Sequence, residues 1–173
     1  MRKRVAHVIA ILTVMAAAIG SQPARTSTAR AQAPSGGWCN RSGEASLSPG
    51  ATFTPREISF TALESVGPCR MSDSSIQSGT NVATGHVIFS CAGGTGTGRF
   101  TIRWNNGRTT AGNLSFAGVG VVGGGPLSVT DGEFAGMHGT FVVVVTQADP
   151  SACSSSTGLT KFSFTGGFGW GGS

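Results

Sequence analysis

A chain of 173 residues with 28 glycines, no tyrosine and only 11% charged residues amounts to one domain once a leader is set aside. Its formal charge of +5 invites a nucleic-acid reading, but five of the twelve basic residues (Arg2, Lys3, Arg4, Arg25, Arg30) precede Gln32 and all seven acidic ones follow it. What remains balances seven against seven, so the clustered Lys and Arg that hold nucleic acid or an anionic membrane are missing.

In chain order, the first segment reads as a signal peptide. Arg2, Lys3 and Arg4 form a positive start, and Val5 to Ile19 is apolar apart from His7 and Thr13. That run is shorter than the roughly 20 residues a membrane-spanning helix needs. Ala29-Arg30-Ala31 fits the small-x-small rule for cleavage, which places the boundary after Ala31, with a cut after Gly20 as the alternative. The expected layout is a signal peptide over 1–31, a flexible linker over 32–37, a β domain over 38–166 and a Gly/aromatic tail over 167–173. The mature protein is expected to be secreted, with no membrane span.

Beyond residue 32 strand signals recur between turn residues. Strands are expected near 43–48, 56–66, 85–91, 98–104, 108–118, 127–130, 137–147 and 158–165. "REISFTALESV" alternates, with Ile58, Phe60 and Ala62 on one face and Glu57, Ser59 and Thr61 on the other. "AGGTGTG", "GVGVVGGGP" and "DGEFAG" read as Gly-rich connectors. Eight short strands at regular spacing imply an all-β fold, a single antiparallel β-sandwich or an eight-stranded barrel.

The stretch "GGTGTGRFTIRWNNGRTT" looks like a phosphate loop but runs into a strand, whereas a phosphate loop opens a helix. Parity sets its register. A three-residue Asn105-Asn106-Gly107 loop pairs Trp104 with Arg108 and puts Leu114 and Phe116 on the face of Phe100 and Ile102. A two-residue turn would put them on the arginine face. Arg108 is then expected to lie against the Trp104 ring at the rim. In "TFVVVVT", Phe141, Val143 and Val145 face the core and Val142 and Val144 point outward. That leaves a modest apolar patch, a patch covered by a folded-back tail carrying Phe168 and Trp170, or a partner surface.

The four cysteines all follow residue 32, and an even count in an exported chain reads as two disulfides. Three pairings are possible. Cys39–Cys91 with Cys69–Cys153 is the expected one, because Cys69 and Cys153 sit at loop positions, Cys91 ends an apolar strand and Cys39 adjoins Trp38, which reads as buried. No C-x-x-C occurs, so no metal or other cofactor is expected.

Candidate chemistry is sparse. The mature chain has two histidines, His86 on the polar side of its strand and His138 before the valine strand. Asp131 and Glu133 lie two apart in "TDGEFAG", where Asp-Gly is ordinary turn chemistry. Neither pattern makes a catalytic constellation, so no catalytic residue is assigned. The candidate binding surface is the Arg99/Arg103 face with Trp104 and Arg108 at its rim, residue types favoured in recognition.

The pieces "SPGATFTPREISF", "GPC", "GTGTGRFTIRWNNGRTT", "DGEFAG" and "DPSAC", in that order, resemble a group of uncharacterised small secreted β-sheet proteins of high-GC Gram-positive bacteria. The resemblance implies an exported β domain and brings no catalytic residues. Gly132, Phe134, Gly136 and Gly139 form a G-x-F-x-G-x-x-G element similar to one in allene-oxide-cyclase/dirigent-type barrels, which implies an eight-stranded barrel. The expected function is non-enzymatic binding of an extracellular glycan or protein, at the cell envelope or in the medium. The alternative is a barrel-type enzyme or small-ligand carrier using His138 or Glu133 in an interior cavity.

Overall fold

The computed structural model describes residues 36–171; the expected signal peptide, the cleavage site and most of the linker lie outside the described residues. Eight antiparallel strands form a closed barrel in sequential order: β1 (Gly37–Ala51), β2 (Arg56–Met71), β3 (Gly79–Ser90), β4 (Gly93–Trp104), β5 (Thr109–Val119), β6 (Val122–Gly132), β7 (His138–Gln147) and β8 (Leu159–Gly171). A 3-10 turn, Pro150–Ser154, precedes β8. β1 closes the barrel by pairing with β8 from Gly37↔Trp170 onward. Each strand thus has two neighbours, and no edge is left to aggregate. The barrel alternative holds and the sandwich does not.

All eight expected strands are present; β5 and β7 fall within one residue of the expected bounds, and the other six are longer than local patterning indicated. The glycine-rich run at 93–98 and the glycine run at 123–125 are strand, not connector. A glycine run signals a loop when taken alone; here each run gains ladder hydrogen bonds on both sides. The same correction applies to the tail, because β8 runs through Gly171. Phe168 and Trp170 point into the barrel at 2% and 4% exposure. They do not fold over the valine strand, and Val142 and Val144 stay exposed. Trp38, read as buried, lies on the outer face, with its ring over Gly167 and Gly169.

The hairpin register is the one parity selects. Arg103 pairs with Thr109, Ile102 with Thr110 and Gly98 with Leu114. The loop closes through Trp104 N donating to Arg108 O at 2.9 Å and Gly107 N donating to Trp104 O at 3.0 Å. Gly107 sits at φ +84°, where an L side chain would be strained.

The disulfide pairing differs from the expected one: Cys39 joins Cys69 and Cys91 joins Cys153. Cys39 and Cys69 are register partners on β1 and β2, with Cα atoms 4.1 Å apart. Cys91 lies at the β3–β4 turn, at the opposite end of the barrel, and there meets the 3-10 turn before β8. Each bridge of the expected pairing would have had to run the length of the barrel. Closing loops of 30 and 62 residues, each bridge contributes about 4 kcal/mol in the chain-entropy model.

The two ends are finished differently. At the end carrying the loops 72–78, 105–108 and 133–137, the interior is filled by Ile76, Ile102, Trp104, Phe134, Met137, Phe168 and Trp170, all buried. Phe134 enters from the β6–β7 loop at φ +68°, a conformation that is costly for a side-chain-bearing residue. Its ring lies 5.3 Å from that of Trp170 and edge-on to Trp104 at 6.3 Å. Ion pairs cross the outside of this plug. Arg108 Nη1 donates to Glu133 Oε2 at 2.8 Å, and Arg108 Nη2 donates to Asp73 Oδ2. Asn105 Oδ1 accepts from Gln77 N and Ser78 N, which ties the β4–β5 hairpin to the β2–β3 loop.

Candidate functional site

Towards the other end the interior is not filled. A cavity of about 90 Å³ lies inside the barrel, lined by small and aromatic side chains including Ala45, Ala62, Ala83, Phe60, Phe116 and Phe141. Inward positions explain the space. On β4 the inward series Trp104, Ile102, Phe100 continues as Gly98, Gly96 and Gly94, so the strand stops contributing bulk halfway along. Phe60 occupies the room this makes: a Cβ on Gly98 would lie 2.9 Å from its ring and one on Gly85 2.7 Å from it. Phe89, Phe116 and Phe162 are only half-buried and stand towards the end where the chamber meets solvent.

Two charged residues line this chamber, Arg41 from β1 and Glu64 from β2. Arg41 Nη1 lies 3.3 Å from Glu64 Oε2, and the side chains are 8% and 1% exposed. Strand alternation places them. Arg41 continues the inward series of Cys39, Ala45 and Leu47, and Glu64 that of Ile58, Phe60 and Ala62. The guanidinium carbon lies 5.0 Å from the Phe141 ring centre and 5.5 Å from that of Phe164, within cation–π reach. Asn81, paired with Glu64 in the β2–β3 register, hydrogen-bonds to its carboxyl. Burial pushes the Glu64 carboxyl above its usual value, opposed by the Arg41 charge and the Asn81 hydrogen bond. Burial likewise pulls the Arg41 guanidinium down, opposed by Glu64. The polar atoms are under-satisfied: Arg41 Nε and Asn81 Oδ1 are buried without a hydrogen-bond partner, and Glu64 Oε2 has only its ion-pair contact with Arg41. Such atoms each cost about 1–3 kcal/mol relative to a satisfied group.

The residues singled out from the sequence lie elsewhere. Arg99 and Arg103 are exposed on the outer face of β4. Trp104 is 2% exposed within the plug, where its Nε1 donates to Thr110 Oγ1 at 2.8 Å. It is part of the core and not of a rim, so Arg108 does not lie against its ring as expected; Arg108 is held by the carboxylates of Asp73 and Glu133. His138 is exposed at the start of β7, Glu133 is tied to Arg108, and neither lines the chamber. His86 Nδ1 lies 3.3 Å from Ser59 Oγ on the outer surface. Among the described residues no three His, Cys, Asp or Glu side chains cluster as metal ligands. No helix among them is long and apolar enough to cross a membrane.

Sequence reasoning missed Arg41, Glu64 and Asn81, although one signal was present. In "REISFTALESV" the face carrying Ile58, Phe60 and Ala62 continues to Glu64, so a carboxylate stands on an otherwise apolar stripe. The chain matches no family model, no curated protein and no solved structure.

Proposed function

We propose that this protein is a non-enzymatic binding protein that takes a small, mainly apolar molecule into its barrel. The observation that carries the reading is the contrast within one interior: one half filled by aromatic rings, the other leaving a chamber of about 90 Å³ walled by Ala, Leu and Phe. The size supports a small occupant, since an apolar cavity of roughly 150 Å³ admits benzene and drug-sized pockets start near 300 Å³. Binding is favoured over catalysis because the two ionisable groups at the chamber are engaged with each other. Residues 1–31 read as a signal peptide, which puts the barrel outside the cell, and the two disulfides are compatible with that setting. NMR titration with pentane tests the reading. The methyl groups of Ala45, Ala62, Ala83 and Leu114 shift saturably, and Ala83→Leu, which fills the chamber, abolishes the shift. Chamber methyls that stay unmoved up to pentane saturation would end it.

A second reading keeps the outer face of β2–β5 as a contact surface for an extracellular glycan. It is favoured by a groove lined by Ser59, Thr61, Thr84, His86, Arg99 and Asn113. If so, Arg99→Ala reduces retention on a polysaccharide column while pentane binding is unchanged.

A further inference from the structure

We infer that the molecule bound in the chamber is an uncharged amphiphile whose polar end both accepts and donates hydrogen bonds, as a hydroxyl or a primary amide does, and that this end is read by Arg41 and Glu64. The inference rests on the barrel-binding reading above and adds the chemistry of the head group. A buried ion pair in a small barrel is a poor way to gain stability, because well-packed apolar residues of similar volume serve equally well or better. Here the pair is also incomplete. Arg41 Nε is a donor without an acceptor and Asn81 Oδ1 an acceptor without a donor, while Glu64 Oε2 has only its 3.3 Å ion-pair contact with Arg41 Nη1. The three residues sit on the adjacent strands β1, β2 and β3, and Arg41 and Glu64 form part of the chamber wall.

The two polar residues in the wall define the complement: an acceptor for the Arg41 guanidinium and a donor for the Glu64 carboxyl. Charge selects further. A carboxylate head would approach Arg41 but also meet Glu64, and an ammonium head would approach Glu64 but also meet Arg41. Either adds a net charge to a wall that is otherwise apolar, and an uncompensated buried charge is strongly disfavoured. An uncharged head avoids both penalties. The limited volume leaves room for only a short part of the chain, with any remainder passing out between Phe89, Phe116 and Phe162.

The test is an NMR titration of the disulfide-bonded protein at neutral pH with a five-carbon series: pentane, 1-pentanol, pentanamide, pentanoate and pentylammonium. The expected result is that pentanol and pentanamide bind at least about tenfold more tightly than either ion, and more tightly than pentane. In the double variant R41M/E64L, whose apolar pair suits the same space, that preference over pentane disappears. The wild-type series decides the matter even if the variant fails to fold. Pentanoate or pentylammonium binding as tightly as pentanamide would overturn the head-group inference. Equal binding of all five, pentane included, would overturn it while leaving barrel binding intact. No binding of any of them would overturn both.

Discussion

The plugged and hollow halves of the barrel are built from the same eight strands with the same in-out alternation, and they differ in what the inward positions carry and in the loop residues Ile76, Phe134 and Met137 that enter the plugged end. The plug receives Trp104, Phe134, Phe168 and Trp170, whose rings stack edge-on and tilted at centroid separations of 5.0 to 6.3 Å. The hollow half receives alanines on β1, β2 and β3 and glycines on β4, with phenylalanine rings spread around the space they leave. Hydrogen-bonding in the ladder continues through both halves, so closure of the sheet and filling of its interior are separable properties. The plug supplies packing stability, and the hollow half gives some up for a chamber.

The sharpest way to break this comparison is to remove a ring from each half. Phe134→Ala is expected to cost about 3–5 kcal/mol, the range for emptying a filled aromatic site. Removing the left-handed strain at this position requires Phe134→Gly, and the lost burial still dominates. Phe116→Ala, in a half-buried site beside an existing cavity, is expected to cost well under half as much. Urea midpoints of the two variants decide it, and equal losses would mean that the halves are not differently packed.

The next effect concerns the ion pair between the halves. Glu64→Leu leaves Arg41 buried without its counter-charge and is expected to cost about 3–5 kcal/mol, whereas the double variant R41M/E64L is expected to be neutral or stabilising. The acid–base behaviour has a definite sign. The folded-state pKa of Glu64 lies above its ordinary 4.5 because burial disfavours the carboxylate. The folded state therefore holds this proton more tightly than the unfolded chain does. The resulting stability is complete below the ordinary carboxyl range and is lost as pH rises through the raised value. Against Glu64→Gln, the wild type should lose ground in urea melts as pH climbs from the ordinary value towards neutrality. A gap that is constant with pH would show that the carboxyl titrates normally.

These properties were unequally legible in the sequence. Eight strands and the three-residue hairpin loop followed from period-2 alternation and from Gly107, because a one-residue slip would turn Leu114 and Phe116 out of the core. The glycine-rich strand segments were not legible: glycine weakens a strand on its own, and only closure of the sheet supplies both ladders. Disulfide pairing failed for a related reason. Which cysteines share an end depends on the up-and-down order of all eight strands, and loop position says nothing about that. Trp104 and Arg108 are adjacent in the register, yet the alternation that identified the Trp104 face as apolar also implied its burial. Glu64 is legible by the same parity, two residues beyond Ala62 on the face of Ile58 and Phe60.

A smaller effect sharpens the account of the hollow half. Gly98→Ala places a methyl 2.9 Å from the Phe60 ring and 2.6 Å from the Thr84 carbonyl oxygen. Displacing the ring into the chamber is expected to cost about 1–3 kcal/mol, the range for overpacking, and to weaken pentane binding in parallel. Loss of stability with unchanged pentane affinity would show that Phe60 moves elsewhere and that the β4 glycines do not set the chamber.

The smallest effect is expected on the outside of the plug, at Arg108. Asp73 is held below its ordinary 3.8 by hydrogen bonds from the Ser75 hydroxyl and backbone N–H and then from Arg108. Its contribution is therefore present above that value and is lost as pH falls through the depressed one. Arg108→Ala should lower the urea midpoint slightly at neutral pH. The loss should shrink in about 1 M salt, where screening reaches within about 3 Å, and should shrink again at acid pH as Asp73 protonates. This surface network lies at the far end of the barrel from the half-buried rings, so pentane affinity should be unchanged in the variant. A change in chamber affinity on Arg108→Ala would show that the plug and the hollow half communicate, and would require the loops that Arg108 ties together to position the ion pair beneath them.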